Sequence, residues 1–246
     1  MNETSVDGVL CRIIDVKKKD RGYGTNQSKI VRVVVLSDTH NYHDKIKVPD
    51  GDVLIHCGDF TKYGAVHHAT SFARYFSAQM HPHKIVVLGN HEWWFSSLIK
   101  RIFSPEIHVL YDQSVEIFGI TFYGSRFKSR YNIGCYTSSA KQEFNDIPHN
   151  TDVLITHQPP DNVGGLNVSL HNGKSVGNIN MMERVLQVKP LVHVFGHNHN
   201  FNTPSFDQVE GCDTTFINCA IVVGKMSNGI LRSPILFDLL ARSDVA

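Results

Sequence analysis

Eight residues at five places in the chain have the types and spacing for metal and proton chemistry. They are Asp38 with His40, Asp59, Asn90 with His91, His157, and His197 with His199. Each place follows a short apolar run, and in three of them a glycine (Gly58, Gly89, Gly196) directly precedes the polar residue. Asp38 and His40 are two apart, so an extended backbone points both to one side. The set holds two Asp, one Asn and five His. His with Asp suits Zn, Fe, Mn or Ni, whereas Mg or Ca sites are richer in oxygen. Two divalent cations facing two carboxylates keep a charge of about +2, which a hydroxide and an anionic phosphate can balance. Two ions roughly 3.5–4 Å apart are the arrangement for in-line attack on phosphorus. Taken alone, Gly89-Asn90-His91-Glu92 is only a polar turn. The weight lies in the recurrence of such residues at strand ends, where open α/β sheets build their sites.

Strand ends must hold these residues in place. The runs 31–36, 52–57, 84–88, 152–157 and 191–195 read as buried strands by their β-branched content. The run Asp52-Val53-Leu54-Ile55-His56 is almost copied by Asp152-Val153-Leu154-Ile155-Thr156, which suggests two equivalent sheet-core strands. Helices are expected over 65–80, 93–103 and 179–187. In the first, Val66, Ala69, Ala73, Phe76 and Met80 form one core-facing stripe. Short alternating runs at 107–110, 114–118 and 120–123 read as antiparallel strands. Further strands are expected at 9–14, 214–219 and 234–239, and the Gly- and Asn-rich stretch 158–178 reads as a loop lining the site. His56 and His193 lie inside their strands and read as hydrogen-bonded residues behind the ligands. Alternating strands and helices with a meander of short strands predict an α/β chain of mixed sheets: two packed β-sheets flanked by helices. Residues 1–29 form a peripheral N-terminal segment and 30–246 one domain.

Composition removes several function classes. The chain has 24 basic and 23 acidic residues, a net charge of +1, and therefore no electrostatic footprint for long nucleic acid. No apolar run approaches the ~20 residues that span a bilayer, so no membrane partner is expected. Five widely spaced cysteines with no C-x-x-C fit reduced thiols in the cytoplasm. Fifteen histidines are the anomaly, since His is the commonest metal ligand and the usual acid or base near neutral pH.

Five ordered blocks carry a family resemblance: Ser37-Asp38-Thr39-His40, Gly58-Asp59-Phe60-Thr61, Gly89-Asn90-His91-Glu92, Thr156-His157-Gln158-Pro159-Pro160 and Gly196-His197-Asn198-His199. They resemble the calcineurin-like metallophosphoesterase superfamily, and within it the metallophosphoesterase-domain-containing (MPPED-like) group. The resemblance implies a four-layer αββα sandwich with two divalent metal ions, Mn, Fe or Zn, at the strand ends. It implies that Asp38, His40 and His199 hold one ion, that Asn90, His157 and His197 hold the other, and that Asp59 bridges. A hydroxide between the ions would attack phosphorus, and His91 would stabilise the transition state and protonate the leaving oxygen. The implied substrate is a small phosphoester: a phosphodiester, with cyclic nucleotides as candidates. A phosphomonoesterase or a phosphoesterase-fold scaffold are the alternatives. One departure stands out. Protein-phosphatase members carry an Asp-Arg pair shortly after the bridging Asp. This chain has Asp59-Phe60-Thr61-Lys62-Tyr63-Gly64, which argues against a protein phosphatase and leaves His91 without the usual orienting carboxylate.

Overall fold

The computed structural model describes residues 3–6, 9–14, 29–92, 98, 101–127, 144–164, 166–167, 175, 177–200, 206–224 and 230–241. Strands β1 (Glu3–Val6), β2 (Val9–Ile14), β3 (Ile30–Leu36), β4 (Val53–His56), β5 (His83–Val86) and β6 (Ile107–Val109) belong to a first sheet. Strands β7 (Gln113–Ile117), β8 (Ile120–Gly124), β9 (Val153–Ile155), β10 (Val192–Phe195), β11 (Phe206–Gln208) and β12 (Thr215–Asn218) make a second. After a small pair, β13 (Val222–Val223) and β14 (Ile230–Leu231), β15 (Ile235–Leu240) returns between β2 and β3 of the first sheet. Helix α1 (Val66–Ser77) follows β4, and α2 (Ile179–Val188) precedes β10.

Strand periodicity sorts the side chains into four layers. Val33, Val35, Val53, Ile55 and Ile85 pack against Val153, Ile155, Val192 and Val194 between the sheets. The alternate residues Val34, Leu36, Leu54 and Val86 pack on α1. Leu154, Phe195 and Phe216 pack on Met181, Val185 and Val188 of α2. Both faces of the central strands are covered, which is why they read as unbroken apolar runs. Helix, sheet, sheet and helix thus stack as the expected αββα sandwich.

The helix stripe differs from the sequence expectation at both ends. Val66 and Met80 are 45% and 87% exposed, while Phe72 is fully buried. Helix α1 begins at Val66 and stops at Ser77, so Met80 falls outside it. Phe72 stacks on Phe60 with ring centroids 4.4 Å apart and meets His56 edge-on at 4.7 Å. Helix α2 starts on Asn178, whose side chain accepts a bond from the Met181 amide, and ends on left-handed Lys189. Most of the expected helix at 93–103 lies outside the described residues, though Leu98, Arg101 and Ile102 are helical. β1, β11, β13 and β14 were not legible, since each runs only two to four residues, too short to show a period.

The topology brings one set of strand ends together. β3, β4 and β5 run parallel, as do β8, β9, β10 and β12. At their carboxyl ends the sheets are stitched by Ser37, whose amide donates to the Cys219 carbonyl and whose own carbonyl accepts from Ile221. At the opposite ends the copied aspartates instead tie neighbouring strands within each sheet, β4 to β3 and β9 to β8. Asp52 accepts from the Arg32 amide at 2.8 Å and Asp152 from the Thr121 amide at 2.9 Å. Phe72→Ala is expected to destabilise the fold by about 3–5 kcal/mol, read as a shift in the urea midpoint with little change in slope.

Candidate metal centre

The loops leaving these strand ends turn sharply. Asp38, His40, Asp59 and His197 adopt φ of 54°, 41°, 53° and 67°, a region costly for residues with a Cβ. The glycines before the site residues are demanded by contact. A Cβ on Gly89 would lie 2.1 Å from Asp59 Oδ1, and one on Gly196 would lie 2.0 Å from Asp38 Oδ2. Backbone is therefore pressed against both carboxylates. The His197 amide donates to Asp38 Oδ2 and the His91 amide to Asp59 Oδ1, each at 2.9 Å.

Two half-sites result. In one, His199 Nε2 lies 2.8 Å from Asp38 Oδ1 and 3.3 Å from His40 Nε2. His40 Nδ1 donates to the Thr61 carbonyl at 3.0 Å, which leaves the Nε2 lone pair facing the site. In the other, Asn90 Oδ1 is 2.9 Å from both His157 Nε2 and His197 Nδ1, and His157 Nε2 is 3.3 Å from Asp59 Oδ2. His157 Nδ1 donates to the Cys57 carbonyl at 2.9 Å, so its Nε2 also presents a lone pair. Acceptors thus converge on acceptors, an arrangement that demands either a proton or a cation. In the metal-free chain burial resists charging His157, but Asp59 and Asp38 outweigh it and push the group up to about 10. Burial alone would raise Asp59; His157 and its hydrogen bond instead hold it down at about 2. His40 and His197 are depressed to about 4, chiefly by burial, and so stay neutral and ligand-ready. The donors Asp38, His40 and His199, and separately Asp59, His157 and His197, lie close enough to share an ion. Asp59 also groups with His40 and His91, facing both halves.

The residue-type arithmetic and this geometry agree with a wider pattern. A calcineurin-like phosphoesterase profile matches residues 31–201. The chain belongs to that family. A UPF0046 protein of Caenorhabditis elegans is 32% identical over 94% of this chain and 88% of its own length. Human metallophosphoesterase domain-containing protein 1 is 31% identical over 85% of this chain and 71% of its own. A crystal structure from Thermus thermophilus shares the fold at a TM-score of 0.51 and 10% identity, over 77% of this chain and 89% of that one.

All eight residues singled out from this phosphoesterase's sequence meet in one place. His91 stands on the open side, 18% exposed, with Nε2 3.6 Å from Asp59 Oδ2 and its ring 5.0 Å from that of His40. Glu92 does not orient it. The Glu92 carboxylate is fully buried and accepts from the Asp59, Thr61 and Gly89 amides and the Thr61 hydroxyl at 2.7–3.1 Å. Burial and then the Asp59 charge raise it to about 8. Glu92 therefore ties the Asp59 turn to the Gly89 turn, a role the sequence offered only as an acid beside an Asn-His pair. Phe127 was also missed; its ring sits 5.8 Å from His157 and 6.0 Å from His197.

His56 and His193 occupy matching positions behind the loops. The Gly58 amide donates to His56 Nδ1, so His56 Nε2–H points to the Thr39 hydroxyl at 3.2 Å. The Thr156 hydroxyl donates to the Gln158 carbonyl and so accepts from His193 Nε2–H at 2.9 Å. Burial depresses both imidazoles to about 3. The unfolded chain protonates them near 6.5 and the folded chain near 3, so stability is full above 6.5 and falls as pH drops toward 3. The slope is about 1.4 kcal/mol per pH unit per group. His193→Gln keeps an N–H donor but cannot titrate. In metal-free protein its melting temperature is expected to fall less than wild type's between about pH 6.5 and about 4; equal slopes would refute the assignment.

Proposed function

We propose that this chain is a two-metal phosphoesterase that hydrolyses small phosphodiesters, with cyclic nucleotides among its substrates. The observation that carries this is the pair of half-sites whose carboxylate, amide and imidazole donors converge on either side of Asp59. Asp38, His40 and His199 would hold one ion; Asn90, His157 and His197 would hold the other; Asp59 would bridge. A donor set with this much imidazole favours manganese, iron or zinc. When bound, the ions would supply Lewis acidity at the phosphoryl oxygens and hydroxide at neutral pH.

The protein's own residues do the rest. Thr61 and Cys57 carbonyls lock the tautomers of His40 and His157, so neither ring needs to reorganise. Asp59 Oδ1 is held by the His91 amide, leaving Oδ2 for the site. His91 Nε2 on the open side is placed to give a proton to the departing oxygen. The Asp59–Gly64 loop offers no Asp-Arg pair, which argues against a protein phosphatase; there Lys62 donates its amide to Asn41 Oδ1. Among the described residues no helix is long and apolar enough to cross a membrane. Free Cys57, Cys212 and Cys219 support a reducing, cytoplasmic setting.

The test loads purified protein with manganese and offers a bis-aryl phosphate and a 2′,3′-cyclic nucleotide. Turnover of the diesters is expected. His91→Ala should keep its metal by elemental analysis while kcat falls roughly 10²–10⁴-fold. Loss of metal would instead make His91 a ligand. Asp59→Asn should lose both metal and turnover. Full biological activity in that variant would favour the scaffold reading.

A further inference from the structure

Among the described residues Phe127 belongs to none of the three apolar clusters, although its ring is half-buried. Among the described residues its ring contacts are His157 and His197, both site residues. The segment carrying it is held firmly. The Ser125 amide donates to the Ile155 carbonyl at 2.9 Å, continuing β8 alongside β9. Asp112 then accepts from the Arg126 amide at 3.1 Å and pairs with Arg126 Nε at 2.7 Å. The Arg126 guanidinium also lies over the Tyr111 ring, 5.2 Å from its centroid. A backbone anchored one residue before Phe127 limits where that ring can stand.

The ring also stands on a particular side. His91 packs against His40, a donor of the other half-site. A phosphoryl group centred on Asp59 would direct its departing oxygen toward His91. The group that stays on phosphorus can extend over the His157–His197 half, where Phe127 is found. Phe127 offers that arm a π-face and no hydrogen bond. We infer that Phe127 is a specificity-determining residue whose ring stacks on the retained ester arm, and that this arm is flat and unsaturated: an aryl group or a nucleobase. The inference rests on the phosphoesterase reading and narrows its substrate class.

Phosphonates that mimic the product with its retained arm provide the test. Binding of phenylphosphonate and methylphosphonate to the manganese-loaded protein is measured by calorimetry, so no turnover is needed. Wild type should bind the phenyl compound roughly 5- to 100-fold more tightly, the range expected for one aromatic stack. Phe127→Ala should erase that preference, leave methylphosphonate binding unchanged and retain the metal. Phe127→Tyr should keep the preference, which controls for misfolding. Asp112→Asn, which weakens the anchor, should reduce it in part. Equal binding of the two phosphonates by wild type overturns the inference, as does an equal loss for both in Phe127→Ala. Metal loss in Phe127→Ala does so too, by making the ring a cover for the ligands. Failure of wild type to cleave diesters would sink the phosphodiesterase reading, whereas a phenyl preference measured by binding would still stand.

Discussion

Two carboxylates, Asp38 and Asp59, are buried at the seam between the sheets, and the surrounding structure must offset that burial. An uncompensated buried carboxylate is expensive, and one partner is never enough. Here each carboxylate divides its oxygens. One oxygen takes a backbone amide pressed in by a neighbouring turn, and the other faces imidazoles. The backbone can come that close only because Gly89 and Gly196 have no side chain. The imidazoles serve both as neighbours of the carboxylates and as donors to a cation.

Fixing the donors falls to groups that never face a substrate. Glu92 gathers three amides and a hydroxyl from the turns around Asp59, so the loops after β4 and β5 behave as one piece. Behind the loops after β3 and β9, His56 and His193 each donate a hydrogen bond to a threonine beside a site residue. One histidine lies on the α1 face of the first sheet and the other on the α2 face of the second. The sandwich therefore supports its site from both outer layers. The Asp52 and Asp152 carboxylates secure the far ends of the same strands.

The strands 31–36, 52–57 and 191–195 were legible because both their faces are buried and the β-branched run continues without a break. The α1 stripe was misread at Val66 and Met80, since the period of a helix does not reveal where it starts and stops, and Phe72 carries the packing instead. The site residues were legible because each stands where an apolar run meets a polar turn. Phe127 was not: nothing in its local pattern distinguishes an aromatic beside a site from one in a core.

The sequence by itself determined the donor types, their places at the ends of apolar runs, the glycines beside them and the layered α/β architecture. These are local properties, set by residue chemistry and short-range periodicity. Only the tertiary structure decided that Glu92 joins two turns rather than orienting His91, that tautomers are set by the Thr61 and Cys57 carbonyls, and that Phe127 stands over the His157 half. Those outcomes depend on contacts between residues tens of positions apart, and a carboxylate or a ring takes its role from whichever partners the fold delivers to it.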